Sequence, residues 1–179
     1  YNNIQATHNL VNIQQVKGED LEINDKEHLT YLLTYSFPCQ DLSLAGLRQG
    51  MNRGEETRSG LLLEVERILH ELQTGGNLPD ILLMENVPQV IGEKNLSDFI
   101  SWRGKLESLG YSNYVEVLNA KDYGVPQNRE RIFVVSIRKD IKKGFVFPRG
   151  TDNTKRLKDV LEEKVEEKFY MNKPFKLVE

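Results

Sequence analysis

Asp80-Ile81-Leu82-Leu83-Met84-Glu85-Asn86-Val87 is the stretch on which the fold turns. Pro79 leads into a short apolar run, and a carboxylate and an amide lead out of it. A run of this length over Asp80–Met84 reads as a central strand with apolar neighbours on both faces. Upstream, Arg58–Leu72 has helical spacing, with Leu61, Leu62, Val65, Ile68, Leu69 and Leu72 on one face. Gly75-Gly76 ends that helix. Further upstream, Thr30–Ser36 is rich in Leu, Tyr and Thr and is stopped by Phe37-Pro38, which suits a buried strand. Downstream, residues 95–109 carry a second helix with Leu96, Phe99, Ile100, Leu106 and Leu109 as its apolar face, stopped by Gly110. Tyr111–Leu118 and Arg131–Ile137 read as strands joined by a loop over Asp122–Arg129. The order strand, helix, strand, helix, strand, strand predicts an α/β sheet that begins parallel. The last connection is too short for a crossover helix, so the last strand is expected to be antiparallel.

The chain has 179 residues, 39% apolar and 28% charged, which fits one ordinary globular domain. No apolar run is long enough for a membrane-spanning helix, and no secretory signal opens the sequence. The first residue is Tyr1 rather than Met, so a fragment or a processed product is expected. The net charge of −3 argues mildly against nucleic acid as a partner. A local basic face would suffice, however, and Arg48, Arg53, Arg58, Arg129, Arg131 and Arg138 gather around the motifs described below. Much of the acidity lies apart, at Glu162, Glu163, Glu166 and Glu167. One cysteine excludes an internal disulfide and argues against a cysteine-based zinc site, and no metal is expected. Residues 1–15 are read as the end of a helix plus a short strand, and Lys17–Asp20 as a turn. Residues 40–56, with Gly46, Gly50 and Gly54, form a long loop of the kind that tends to be functional. Beyond Asp140 the sequence reads as a linker followed by a short charged helix over Arg156–Glu167.

Three short motifs carry chemistry. Phe37-Pro38-Cys39-Gln40 sits at the C-terminal end of a predicted strand, where ligands of open α/β sheets bind. A Cys held there on rigid backbone suits a nucleophile, and a small buried apolar residue is the other reading. Glu85-Asn86-Val87 follows the next strand, so Glu85 is expected on the same sheet edge as Cys39. A carboxylate leaving a run of Ile and Leu is expected to be partly desolvated and suited to proton donation. A strand-end cap is the alternative. In Gln127-Asn128-Arg129-Glu130-Arg131 the two arginines are two apart on extended chain and point the same way. Each offers a planar donor fork to a carbonyl or phosphate, or else belongs to a salt-bridged strand start.

Taken in order, Pro-Cys-Gln, Glu-Asn-Val and Gln-x-Arg-x-Arg resemble the signature of the cytosine-C5 DNA methyltransferases. The resemblance runs from about Gly18 to Ile137. It includes Asp41-Leu42-Ser43-Leu44-Ala45-Gly46, Arg58-Ser59-Gly60-Leu61 and the stretch Leu118-Asn119-Ala120-Lys121-Asp122-Tyr123-Gly124-Val125-Pro126-Gln127. It implies a partial Rossmann-like, doubly wound methyltransferase sheet, mostly parallel with an antiparallel last strand. It further implies methyl transfer from S-adenosylmethionine to C5 of a cytosine flipped out of double-stranded DNA. Cys39 would attack C6, Glu85 would hold a proton at N3 and the exocyclic amine, and Arg131 would contact O2. Asn86 would support the Cys39 loop, and Arg129 would help hold loop and base. Asp20, Pro38 and Leu61 match donor-binding positions. Gln40, Ser43, Arg48, Arg58 and Gln127 are expected on the DNA.

The family's glycine-rich donor turn and the acidic residue that follows it have no counterpart here. Residues 1–140 are therefore read as an incomplete catalytic domain, and 141–179 as a linker and the start of a target-recognition region. A second chain or missing segments would complete the donor site. The setting implied is a restriction-modification enzyme in the cytoplasm of a bacterium, or one encoded by a phage. A non-catalytic DNA-binding or interaction fragment is the alternative, and an RNA cytosine methyltransferase is a variant within the same class. A cysteine hydrolase would want a His partner, and His8, His28 and His70 lie in no such setting.

Overall fold

A computed structural model describes residues 10, 12–37, 61–151 and 155–169. Four strands, β1 (Leu32–Tyr35), β2 (Ile81–Asn86), β3 (Tyr111–Asn119) and β4 (Glu130–Arg138), form one sheet with two helices, α1 (Leu61–Thr74) and α2 (Leu96–Ser108). The spatial order is β1-β2-β4-β3. β1 and β2 are parallel, and β4 is antiparallel to both of its neighbours. The last strand thus opposes the other three, as expected, but it inserts between β2 and β3. The result is a mixed sheet in which one pairing is parallel, in place of the mostly parallel sheet predicted. The cause is the connection after β3. It brings the chain straight back, so β3 and β4 pair from Tyr111–Arg138 to Asn119–Glu130.

Alternation along the strands sorts the two faces of the sheet. Tyr35, Leu82, Met84, Asn86, Ile132 and Val134 share one face in register. The helices lie on that face. α1 contributes Leu62, Val65, Ile68, Leu69 and Leu72, and α2 contributes Phe99, Trp102 and Leu106. An ion pair between Glu66 of α1 and Lys105 of α2 joins them side by side. A doubly wound sheet would carry helices on both faces; among the described residues the two long helices share one. Trp102 Nε1 donates to the Tyr35 hydroxyl at 3.1 Å, with the rings edge-on at 6.1 Å. Burial pushes the Tyr35 phenol far above its usual range, against a smaller opposing effect of that hydrogen bond.

Several expectations need correction. β2 runs two residues further than Met84, because Glu85 and Asn86 pair with Phe133 and Ile132. The buried stripe of α2 is Phe99, Trp102, Leu106 and Leu109, spaced by three and four residues, while Leu96 and Ile100 are exposed. Arg156–Glu167 is not a helix. It holds 3-10 turns at Leu157–Asp159 and Glu167–Phe169 and is exposed throughout. A charged run with no face packed against a core lacks the main source of helix stability. In the first fifteen residues the described part forms a 3-10 turn, Ile13–Gln15, capped by Asn12. No helix among the described residues is long and apolar enough to cross a membrane.

Asp80 closes the end of the sheet opposite the motifs. Its carboxylate accepts from the Tyr31 N–H at 2.8 Å and meets Arg138 Nη2 at 3.2 Å. Arg138 Nη1 also donates to the Leu78 carbonyl at 3.0 Å. Asp80→Ala strands the Tyr31 amide and part of the guanidinium, so a loss of about 2 kcal/mol is expected in urea unfolding. An unchanged midpoint would show that Asp80 bears no such load.

Two carboxylates link stability to pH. The Gly18 N–H, and then Arg67, hold the Glu71 carboxyl below its usual 4.5. Arg138 holds Asp140 below its usual 3.8. Both groups bind their protons less readily folded than unfolded. Their contribution is therefore fully present above those usual values and is lost as pH falls through the depressed ones. The thermal midpoint should drop between about pH 5 and about pH 3, and Glu71→Gln should make that drop shallower. Both carboxylates are largely solvated, so each effect is small.

Candidate active site at the strand ends

The end of β2 splits its two polar residues between the faces of the sheet. Asn86 points to the helix side and is buried. Its Nδ2 donates to the Phe37 carbonyl at 2.7 Å, and its Oδ1 accepts from the Val87 N–H at 2.8 Å. This amide fixes the backbone just past β1, two residues before Cys39. Glu85 points to the other face. There it sits opposite Phe133, while Arg131 lies opposite Leu118 on the same face.

Arg131 Nε lies 2.9 Å from Glu85 Oε1, and the Ser36 hydroxyl lies 3.4 Å from Glu85 Oε2. The Glu85 side chain keeps 38% of its exposure, so the partial desolvation expected of it is modest. Around the pair is a cavity of about 340 Å³, at the small end for ligand pockets. Glu85, Arg129 and Arg131 supply its charged groups. Leu118, Ala120, Tyr123, Val125 and Phe133 supply an apolar wall. An acid and two guanidinium forks over an apolar wall suit a flat, polar-edged ring better than an aliphatic chain.

The rim of the cavity is a loop closed on itself. Asn119 is buried; its Oδ1 accepts from the N–H groups of Lys121 (3.2 Å) and Arg129 (3.1 Å), and its Nδ2 donates to Asn128 Oδ1 at 2.7 Å. The Ala120 N–H donates to the Arg129 carbonyl at 3.0 Å. Asn119 therefore sets where Arg129 emerges. Neither it nor the wall residue Tyr123 stood out as a site residue in the sequence, although both lie within the Leu118–Gln127 stretch. What sequence reading missed was that this stretch folds back over β4.

The structure brings Glu85, Arg129 and Arg131 together, with Asn86 behind them. Gln127 is exposed beyond the rim, with its N–H on the Val125 carbonyl. Pro38, Cys39, Gln40, Ser43, Arg48 and Arg58 lie outside the described residues. Asp20 and Leu61 are placed on separate elements. Asp20 caps its own 3-10 turn, its Oδ2 accepting from the Lys17 N–H at 2.8 Å, and Gly18 of that turn packs against Glu71 and Leu72. Leu61 opens α1, roughly 16 Å of helix axis away from Leu72.

An α/β sheet with an acid–arginine cavity at the carboxyl end of β2 defines a binding site of the open α/β class. Residues 1–177 match the C-5 cytosine-specific DNA methylase family, and the chain belongs to it. It is 42% identical over 173 residues to the orphan methyltransferase M.SssI of Spiroplasma monobiae, covering 94% of this chain and 44% of that protein. It is 45% identical over 138 residues to the type II methyltransferase M2.ScrFI of Lactococcus lactis subsp. cremoris, covering 77% and 37%. The chain therefore spans less than half the length of these relatives. Among solved structures, the S. pombe Dnmt2 methyltransferase shares the fold, with a TM-score of 0.60 at 22% identity, covering 89% of this chain and 48% of that one.

Proposed function

We propose that this chain carries the base-activating part of a DNA cytosine-C5 methyltransferase of restriction-modification type, working in the cytoplasm of a bacterium or encoded by a phage. The observation that carries the reading is the convergence of Glu85, Arg129 and Arg131 on one cavity, with Asn86 tying down the segment that leads to Cys39. Cytosine C5 is a poor nucleophile. When the Cys39 thiolate forms a bond to C6, the ring's electron pair shifts toward C5, the carbon that is to be methylated. Glu85, as the acid, keeps N3 protonated and accepts from the exocyclic amine, so negative charge does not build on the ring. Arg131 turns from Glu85 to O2, where charge develops in the adduct. Once C5 has gained its methyl group, its proton leaves, the C6–S bond breaks and the thiolate departs. S-adenosylmethionine, the donor implied by the family, would supply the electrophilic methyl group. Double-stranded DNA is the proposed substrate, with Gln40, Ser43, Arg48, Arg58 and Gln127 on its backbone or flipped site.

The addition step can be read without the donor, because C5 exchanges its proton with water each time the adduct forms. DNA carrying tritium at cytosine C5 should release tritium into solvent when the protein is added alone. No release, with DNA bound, overturns the reading.

The second reading drawn from the sequence is a DNA-binding or interaction fragment that keeps these motifs without a donor. Titration calorimetry with S-adenosylmethionine distinguishes the two. Micromolar binding supports the enzyme, and absent binding supports the fragment.

A further inference from the structure

The segment after β4 does not leave the sheet freely. The Phe145 ring meets Tyr114 of β3 edge-on at 5.8 Å, and Phe147 meets Phe145 at 4.9 Å. The Tyr123 hydroxyl then donates to the Pro148 carbonyl at 2.8 Å, and the Thr151 N–H donates to the Asp122 carbonyl at 2.7 Å. Gly150 passes so close that a Cβ there would lie 2.8 Å from Asp122 Cβ and 3.0 Å from its carbonyl oxygen. The segment is thus tied to Asp122 and Tyr123 at successive points, and Tyr123 is also a wall of the cavity that holds Glu85, Arg129 and Arg131.

The geometry points to residues 145–151 as a strap that sets the shape of the base cavity, with Tyr123 as the positioning residue through which it acts. The loop has two supports of different kinds. Asn119 closes it from within and governs where Arg129 emerges. The strap holds it from outside and governs how far the Tyr123 ring reaches into the cavity. Whatever the chain beyond Thr151 engages will pull on Asp122 and Tyr123, so its position is reported to the cavity through two hydrogen bonds and one glycine contact. The catalytic consequence rests on the function proposed above; the mechanical link does not.

The test uses Tyr123→Phe and Gly150→Ala in the full-length protein. Tyr123→Phe removes one hydroxyl and keeps the ring. Gly150→Ala forces the strap and Asp122 apart. Hydrogen exchange at the Ala120, Val125 and Arg129 amides should rise about tenfold in both variants, with β2 and α2 unchanged. The kcat for tritium release should fall about tenfold, while DNA affinity stays within about twofold, because the effect is on arrangement of the bound base. Unchanged exchange in both variants overturns the strap. A loosened loop with an unchanged kcat overturns the positioning role. A wild-type protein that releases no tritium overturns the proposed function instead, and the exchange arm still decides the link.

Discussion

Replacing Cys39 by Ala is expected to abolish covalent capture on DNA containing 5-fluorocytosine, and with it donor-independent tritium release. Fluorine at C5 cannot leave as a proton does, so an enzyme that has added its thiol and transferred a methyl group cannot release the base. Capture reports bond formation at C6 directly, as a DNA-dependent shift on a denaturing gel. The chain contains one cysteine, so no second thiol can stand in. Wild-type protein with donor should shift; Cys39→Ala should not, whatever its DNA affinity. Capture that persists in the variant removes Cys39 from its role and moves the search to another nucleophile. The bond from Asn86 holds the Phe37 carbonyl, two residues before Cys39 in sequence, and the substitution removes neither partner.

Glu85→Gln is expected to slow methyl transfer by about 10²- to 10³-fold, with DNA affinity changed little, because it removes the acid and keeps the shape. The amide still fills the volume beside Ser36 and Phe133. It cannot give a proton to N3, and it cannot hold Arg131 by charge. Single-turnover methylation and a binding isotherm on the same DNA give the two numbers. Equal losses in both would make Glu85 a binding group. The variant also separates the two duties of the 2.9 Å Glu85–Arg131 contact. If the ion pair mainly holds the empty cavity in shape, Glu85→Gln should also raise hydrogen exchange around Arg131. If its main duty is chemical, only the methylation rate responds.

The sequence made the elements legible where composition and length agreed. The apolar run after Pro79, the 3.6-residue stripe of Leu62 to Leu72 and the Gly110 stop each mark an element on their own. It also placed Glu85 at a strand end and pointed Arg129 and Arg131 the same way by the two-residue period, while only the family resemblance joined the three into one site. What it left hidden depends on non-local pairing. Nothing near Arg131–Ile137 says that this strand slides between its two predecessors, since β2 and β3 offer edges of similar character. Trp102 was hidden for a different reason. Ile100 and Leu96 compete for the same reading of α2, and the choice falls to whichever residue meets Tyr35. The charged run after Arg156 shows the limit of propensity. Glu, Lys and Leu favour a helix locally, and with no core to pack against the helix does not form.

The insertion of β4 between β2 and β3 also dictates when the site comes into being. As the chain leaves the ribosome, β1, α1, β2, α2 and β3 all appear before the strand that joins β2 to β3. Until then the inner edge of β2 is a bare row of amides and carbonyls bordered by Leu82 and Met84, a template for wrong partners. Glu85 meets Arg131 only when that gap is filled. Nascent chains cut short before Arg129 should therefore aggregate or call on chaperones, and none of them should present an acid–arginine cavity to a stray base. Of the described strands, β4 is the last to be made, and it turns separate strands and helices into one sheet with a cavity at its end.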